Sequence, residues 1–263
     1  MPSIPVDVPR VILEHVDKND LATLCRVNKI CCSCSQDVLY HNIHLGIETS
    51  HHRRRVKLYQ TLAQSTHLAK RVRSIDIQFL DFSIFEIIAN ALRNMSSLRS
   101  LKFHLGSYSN ILDGCTFKLH SFSCIHSACD SESFRNFLRN QTSLTDITIV
   151  GYDTSGSIEA TSLPNLTRVT STSLDWVSRV IPGRSVSEVI ITGHSFGNSA
   201  DLSFFTLATA PVQKLTIDSS YLFPKSGELL ASFFPSLTNL TMSTSSNIFT
   251  SQPVRVLILL IFH

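Results

Sequence analysis

The sequence has little charge and lacks a long apolar run. Because 16% of its 263 residues are charged and 43% are hydrophobic, the chain can bury a sizeable core and is not disordered overall. Asp7 and Glu14 interrupt the N-terminal apolar residues, so no signal-peptide pattern is present. The apolar run over residues 254–262 contains Arg255 and is too short to span a bilayer. We expect no membrane partner and a cytoplasmic or nuclear location.

The net charge is small as well. A formal charge of +3 is a weak argument for nucleic acid and no argument for a polyanion-binding surface. Residues 51–57 form the one dense basic run. A solvated helix face is the favoured interpretation, with a nuclear-localisation or nucleic-acid patch as the alternative. We expect no nucleic-acid partner.

The seven cysteines are an odd number, and four of them lie between residues 25 and 34. Adjacent cysteines on one short segment make a poor disulfide framework, which is typical of a reducing compartment. Cys31 and Cys34 have C-x-x-C spacing and are followed by His41 and His44, so a zinc site has to be considered. No second C-x-x-C pair exists, and short motifs of this kind are often false positives. We expect no metal and no cofactor.

Residues 3–45 carry the apolar spacing of three short helices. Asp7 can cap the first helix, and either Asn19 or Asp20 the second, because such side chains accept hydrogen bonds from the opening turn. The second helix would present an apolar stripe at helical spacing, formed by Leu21, Leu24, Val27 and Cys31. So small a unit has too little core to bury all of this surface. A partner or the following domain must cover the remainder.

These residues resemble an F-box over about one sixth of the chain. Ile4-Pro5 and Asp7 match the family's opening Leu-Pro and acidic position, Ile12-Leu13 matches its Ile-Leu pair, and Asp20-Leu21 matches its Asp-Leu step. Residues 24–29 match its stretch of leucine, two residues, valine, Ser/Asn/Cys and Arg/Lys, and residues 39–43 match its closing Leu-Tyr-x-x-Ile. The usual tryptophan is absent, with Cys31 or Cys32 near its place. The resemblance implies that an apolar helical surface docks on the Skp adaptor of a cullin-RING ubiquitin ligase. The expected contact residues are Pro5, Ile12, Leu21, Leu24 and Val27.

One short phrase recurs from residue 72 onward: apolar, two residues, apolar, one residue, apolar. Its eight copies begin at intervals of 20 to 26 residues, at Val72, Leu98, Leu119, Leu144, Leu166, Val186, Val212 and Leu237. The last two apolar positions differ by two, so they share one face of a strand. Helix-like stretches lie between several copies, and a strand followed by a helix at this period is typical of a leucine-rich repeat.

The repeated part resembles the degenerate leucine-rich repeats that often follow F-boxes. The asparagine or cysteine expected three residues beyond the last apolar position is missing. Ser/Thr hydroxyls, backbone groups or water would therefore have to satisfy the turns. A doubly wound α/β domain is the alternative, since it also alternates strands with helices. The short period favours the solenoid.

The segment Gly193-His194-Ser195-Phe196-Gly197 fits the G-x-S-x-G motif of a serine hydrolase and follows a strand-like stretch. An α/β-hydrolase orders its triad as serine, acid and histidine. The only histidine after Ser195 is His263, and no HGGG-type oxyanion segment lies upstream. We therefore expect that the chain is not an enzyme and has no catalytic residues.

Together these patterns predict an α/β protein with a small N-terminal helical F-box-like module (residues 3–45), a basic helical connector (46–70) and an irregular leucine-rich-repeat solenoid (71–263). The solenoid is expected to be truncated, because residues 254–259 begin another copy of the phrase without a polar cap. The function expected from the resemblance is a substrate-recognition adaptor of an SCF-type ubiquitin ligase. The F-box would bind the Skp adaptor and, through it, a cullin scaffold, and the repeats would bind an unknown target protein. The alternatives are a repeat-scaffold binding module unconnected with ubiquitin, or a serine hydrolase.

Overall fold

The structure is a computed structural model that describes residues 11–44, 52–77, 82–104, 110–125, 132–151, 158–159, 161–192, 202–218 and 232–243. The chain divides into two compact units: residues 1–103 with 111–119, and residues 104–110 with 120–263. Up to β3, the elements are α1 (Lys18–Leu24), α2 (Lys29–His41), β1 (Asn42–His44), α3 (His52–Gln64), α4 (Thr66–Ala69), β2 (Ser74–Ile77), α5 (Phe85–Asn94) and β3 (Ser100–His104).

In the described residues after β3, strands outnumber helices. The elements there are β4 (Ser121–Ile125), α6 (Glu132–Arg139), β5 (Asp146–Val150), β6 (Arg168–Ser171), α7 (Leu174–Val180), β7 (Glu188–Ile191), β8 (Lys214–Asp218) and β9 (Asn239–Ser243). Two short 3₁₀ helices span Phe82–Ile84 and Ser203–Leu207.

The nine strands belong to one sheet, in which their order from β1 to β9 is the order of the chain. Each pair whose register is described is parallel. Every copy of the repeated phrase overlaps a strand, from β2 to β9. Because the strand order never reverses, the described sheet has no topological switch point of the kind at which doubly wound proteins bind ligands.

The predicted architecture, a small helical F-box-like module followed by an irregular leucine-rich-repeat solenoid, is wrong. The structure is instead an α/β protein built on a nine-stranded parallel sheet. Its first strand, β1, lies inside the predicted module and pairs in register with β2. Helix α2 runs directly into β1, and the Arg73 N–H donates to the His41 carbonyl at 2.9 Å. The repeated apolar phrase led to the wrong prediction because any parallel sheet with helical connections also needs an apolar strand at similar intervals.

In the first unit, Ile43, Ile75 and Leu101 occupy the same register position on three neighbouring strands and are at most 6% exposed. Helices α3 and α5 bury apolar residues in contact with each other. The Asn94 side chain, at the end of α5, donates to the Leu62 and Ala63 carbonyls near the end of α3 (3.2 and 2.8 Å). This amide therefore satisfies two carbonyls that the helix itself leaves without a donor.

The second unit has a longer apolar column. One register position on β4 to β9 is filled by Phe122, Ile147, Val169, Val189, Leu215 and Leu240. The first five are at most 1% exposed, and Leu240 on β9 is half-buried. Helix α6 adds two aromatic rings, whose centroids lie 5.8 and 5.9 Å from that of Phe122. The column therefore forms a continuous apolar row across the strands, and at Phe122 it packs against helix α6.

A repeated hydrogen-bond arrangement sets the start of each strand. The His120 carbonyl accepts from the backbone N–H groups of Thr145 (2.9 Å) and Asp146 (3.0 Å), and also from the Thr145 hydroxyl (3.0 Å). Four further carbonyls in this unit each accept hydrogen bonds from two backbone N–H groups at the start of the next strand. These carbonyls belong to Thr145, Thr167, Ser187 and Gln213. Ser/Thr hydroxyls thus add donors to these carbonyls at the start of the strands, whereas the sequence led us to expect them in the turns that follow the strands.

One buried cation ties the end of α7 to the preceding segment. The Arg184 side chain is 1% exposed and donates to the carbonyls of Ser162 (2.7 Å), Pro182 (3.2 Å), Val180 and Glu159. Burial lowers the pKa of its guanidinium to about 10, so it stays charged at neutral pH. Four oriented carbonyl dipoles replace the water that this charge loses on folding.

The apolar column predicts a difference between neighbouring residues of β8. Leu215 is 1% exposed, whereas Thr216 is half-buried on the opposite face of the strand. Leu215→Ala should lower the free energy of unfolding by about 2–5 kcal/mol, because truncation leaves a cavity in the core. Thr216→Ala should cost much less. Urea unfolding followed by circular dichroism measures both, and equal, small losses would contradict this register.

Candidate interaction surfaces

The N-terminal helices begin at capping residues. The Asp17 carboxylate accepts from the Asn19 N–H at 2.8 Å, and the Asn28 side chain accepts from the Cys31 N–H at 2.8 Å. The sequence predicted Asn19 or Asp20 as the cap of α1, but the structure has Asp17 there. Since α1 ends at Leu24, Val27 lies in the turn between the two helices, not on a helical stripe.

Large exposed apolar side chains are concentrated in this segment. Among the described residues five are exposed, and the four that lie between residues 11 and 30 are Val11 (58%), Ile12 (60%), Val27 (62%) and Ile30 (72%). We call these four the N-terminal apolar residues. The fifth is Leu207 in the second unit, at 59%. Single exposed apolar side chains are ordinary, but a concentration of them in one short segment is typical of an interaction site.

The predicted contact residues divide into three groups in the structure. Ile12 and Val27 are exposed, Leu24 is half-buried, and Leu21 is 2% exposed. Pro5 lies outside the described residues. Leu21 is already covered by the protein itself, so it supports the surface and does not form it. Sequence reasoning missed Val11 and Ile30, and the signal for Ile30 was the cap at Asn28, which begins a new helix just before it.

Arg71 fixes α2 to the chain that leads into β2. Its guanidinium donates to the Ser33 carbonyl at 2.9 Å and forms an ion pair with the Asp37 carboxylate. The Arg71 side chain is 20% exposed, so this contact is partly shielded from solvent. The N-terminal helices are therefore held in place by the first unit of the sheet.

The outward face of the second unit carries a row of alternating charges. Asp146, Arg168, Glu188 and Lys214 occupy one register position on β5, β6, β7 and β8, and we call them the charge ladder. Arg168 lies 2.7 Å from the Glu188 carboxylate and 3.7 Å from that of Asp146. Partial burial raises the pKa of the Asp146 carboxyl, and the Arg168 guanidinium acts in the opposite direction. The ladder has no net charge, because its two carboxylates and two cations balance.

A row of threonine hydroxyls, interrupted by Ile190 and called the hydroxyl row, runs beside the charge ladder. Two residues further along the strands, the outward positions on β5 to β9 hold Thr148, Thr170, Ile190, Thr216 and Thr241, all half-buried. Hydroxyls both donate and accept hydrogen bonds. The two rows together therefore offer hydrogen-bonding groups and no excess of either charge.

The first unit carries a smaller group of ionisable side chains on its own strands. The Asp76 carboxylate on β2 is 8% exposed and lies 3.1 Å from His44 Nδ1 and 3.8 Å from the Lys102 ammonium. These three residues are register neighbours on β1, β2 and β3. Cross-strand pairing of opposite charges compensates the burial of the carboxylate.

Within the described residues, no metal centre is assembled. No three histidine, cysteine, aspartate or glutamate side chains within them come together as metal ligands. Residues 193–197 and His263, which carry the serine-hydrolase motif and its only downstream histidine, lie outside the described residues. No helix in the described part of the chain is long and apolar enough to cross a membrane. The sequence matches no protein-family model and no curated protein at a significant level.

The charge ladder makes a prediction about salt. Arg168→Glu would place three carboxylates side by side, so it should lower the free energy of unfolding by about 1–2 kcal/mol at low salt. Arg168→Gln, which removes attraction without adding repulsion, should cost about half as much. Both losses should shrink in about 1 M salt, where the screening length falls to about 3 Å. Urea unfolding at the two salt concentrations tests this, and a salt-independent loss would show that the ladder is not electrostatic.

Proposed function

We propose that this chain is a substrate-recognition adaptor of an SCF-type cullin-RING ubiquitin ligase. In this proposal the N-terminal helices dock on the Skp adaptor and, through it, on a cullin scaffold. The outward strand face of the second unit binds a target protein. The chain itself performs no chemistry and acts in the cytoplasm or the nucleus.

The concentration of exposed apolar residues in the N-terminal helices is the observation that carries the proposal. Four of the five exposed large apolar side chains in the described residues lie within 20 residues of each other. They belong to the segment whose sequence resembles an F-box. Burial of apolar area is the main favourable term in protein association, so these side chains supply the driving force that docking requires.

Target binding by the strand face is supported by its polar character. The charge ladder and the hydroxyl row are properties of β5 to β9, and they are separate in sequence from the N-terminal apolar residues. A face with balanced charge attracts polyanions and polycations weakly, which favours recognition by matched hydrogen bonds. One chain then carries an apolar docking segment and a polar recognition face, the arrangement that an adaptor between two proteins needs.

A protein-binding role unconnected with ubiquitin is the second candidate. It would use the same two surfaces, and only the identity of the partner at the N-terminal helices separates it from the first. Direct binding of purified Skp adaptor therefore decides between them.

Docking on the Skp adaptor should depend on Val27. Val27→Asp would place a charge in an apolar contact, which should weaken binding at least tenfold, or by about 1.4 kcal/mol. Val27 is 62% exposed, so the variant should still fold. Leu207→Asp is the matched control, because it changes an equally exposed apolar residue outside the N-terminal segment, and it should bind normally. Calorimetry with purified Skp adaptor measures both.

Two results would contradict the docking proposal. Wild-type chain that does not bind the Skp adaptor would favour the role unconnected with ubiquitin. Equal affinities for wild type and Val27→Asp, with both proteins folded by circular dichroism, would remove the N-terminal apolar residues from the interface.

Ser195 distinguishes an adaptor from a serine hydrolase. A serine hydroxyl without a general base keeps ordinary, weak nucleophilicity. The purified protein should therefore not be labelled by a fluorophosphonate probe and should not turn over activated esters faster than a Ser195→Ala control. A known serine esterase serves as the positive control. Labelling that disappears in the alanine variant would establish the hydrolase alternative.

A further inference from the structure

Cys25 and Cys32 bring two thiols together at the junction of α1 and α2. Cys25 follows the last residue of α1, and Cys32 lies in the first turn of α2. The Cys25 thiol donates to the Cys32 carbonyl oxygen, with the sulfur 4.0 Å from that oxygen, so the Cys25 side chain lies against the residue that carries the second thiol. Both residues are free cysteines and half-buried, so a small oxidant can reach them.

The neighbouring cysteines are placed differently. Cys31 precedes Cys32 on α2, and successive side chains of a helix point about 100° apart. Cys34 is 7% exposed and is therefore largely closed to solvent. Among the cysteines of this segment, Cys32 is the one whose carbonyl lies against the Cys25 sulfur.

We infer that Cys25 and Cys32 are a redox modification site, at which a reversible disulfide joins the end of α1 to the start of α2. The oxidant is a small disulfide such as glutathione disulfide. The Cys25 thiolate attacks one of its sulfurs, which forms a mixed disulfide and releases one glutathione thiolate. The Cys32 thiolate then attacks the Cys25 sulfur and releases the second glutathione thiolate. One disulfide is reduced to two thiols, and two protein thiols become one disulfide.

The surroundings of Cys25 affect the rate of this exchange. Burial raises the pKa of the Cys25 thiol, and the neighbouring Cys32 acts in the same direction. The thiolate is therefore scarce at neutral pH, and the reaction should be slow there and faster at higher pH. In a reducing compartment the pair stays reduced, so the bond forms when the glutathione pool becomes oxidised.

The disulfide would close a short loop around part of the N-terminal apolar residues. Val27 and Ile30 both lie between the two cysteines, with the capping residue Asn28. Closure would hold the turn that presents both apolar side chains. An effect on docking rests on the proposed function, whereas formation of the bond does not.

Peptide mapping of the full chain tests the bond directly. The protein is equilibrated in glutathione buffers of increasing disulfide content, its free thiols are alkylated, and it is digested with trypsin without reduction. Cleavage after Arg26 and Lys29 separates Cys25, in peptide 19–26, from the cysteines of peptide 30–53. We expect these two peptides to be joined in oxidised protein and separate after reduction, with fragmentation assigning the bond to Cys25 and Cys32. The bond should form faster at about pH 8.5 than at about pH 7.

Serine variants provide the controls. Cys32→Ser should abolish the linked peptides and leave glutathione attached to Cys25, whereas Cys31→Ser and Cys34→Ser should keep the link. The proposal would be overturned by glutathione adducts without any linked peptide at all buffer ratios. It would equally be overturned by fragmentation of the wild-type protein that places the bond at Cys31 or Cys34. The peptide map of the wild-type protein is sufficient to identify the bond, so the test remains valid even if one of the variants does not fold.

Discussion

The hydrogen bonds to the carbonyl before each strand are the interaction on which the second unit depends. One oxygen there accepts two backbone N–H groups of the next strand, and a Ser/Thr hydroxyl often adds a third donor. This contact aligns each strand with the previous one. Because a shift of one residue would exchange the two faces of a strand, alignment decides which side chains are buried. Both the core and the outward face follow from it.

The same register that stacks the apolar column also stacks the charges. Val169 and Val189 lie in one row of the inner face, and Arg168 and Glu188 lie beside them in one row of the outer face. The inner row excludes water and stabilises the fold. In the outer row, by contrast, side chains can change without opening a cavity in the core. The N-terminal helices differ, since their apolar residues exceed what so short a segment can bury.

The sequence predicted local structure better than architecture. Alternation with period two located the strands, because every copy of the phrase overlaps one. The phrase could not tell a solenoid from a parallel α/β sheet, because both require buried strands joined by helices. In the candidate site, helical spacing grouped Leu21 with Val27, although α1 ends at Leu24 and leaves one buried and the other exposed. Arg184 could not be predicted at all, since its four carbonyl partners carry no sequence signature.

Arg184 also couples two segments that are not adjacent in the chain. Its acceptors belong to residues 159 and 162 on one side and residues 180 and 182 on the other. If either segment opened locally, a buried charge would lose half of its acceptors, which costs far more than the loss of a neutral hydrogen bond. A lysine could not serve in its place, because a single ammonium nitrogen cannot reach carbonyls arranged around a planar fork. Local opening of either segment should therefore disturb the other, because both supply acceptors to the same buried guanidinium.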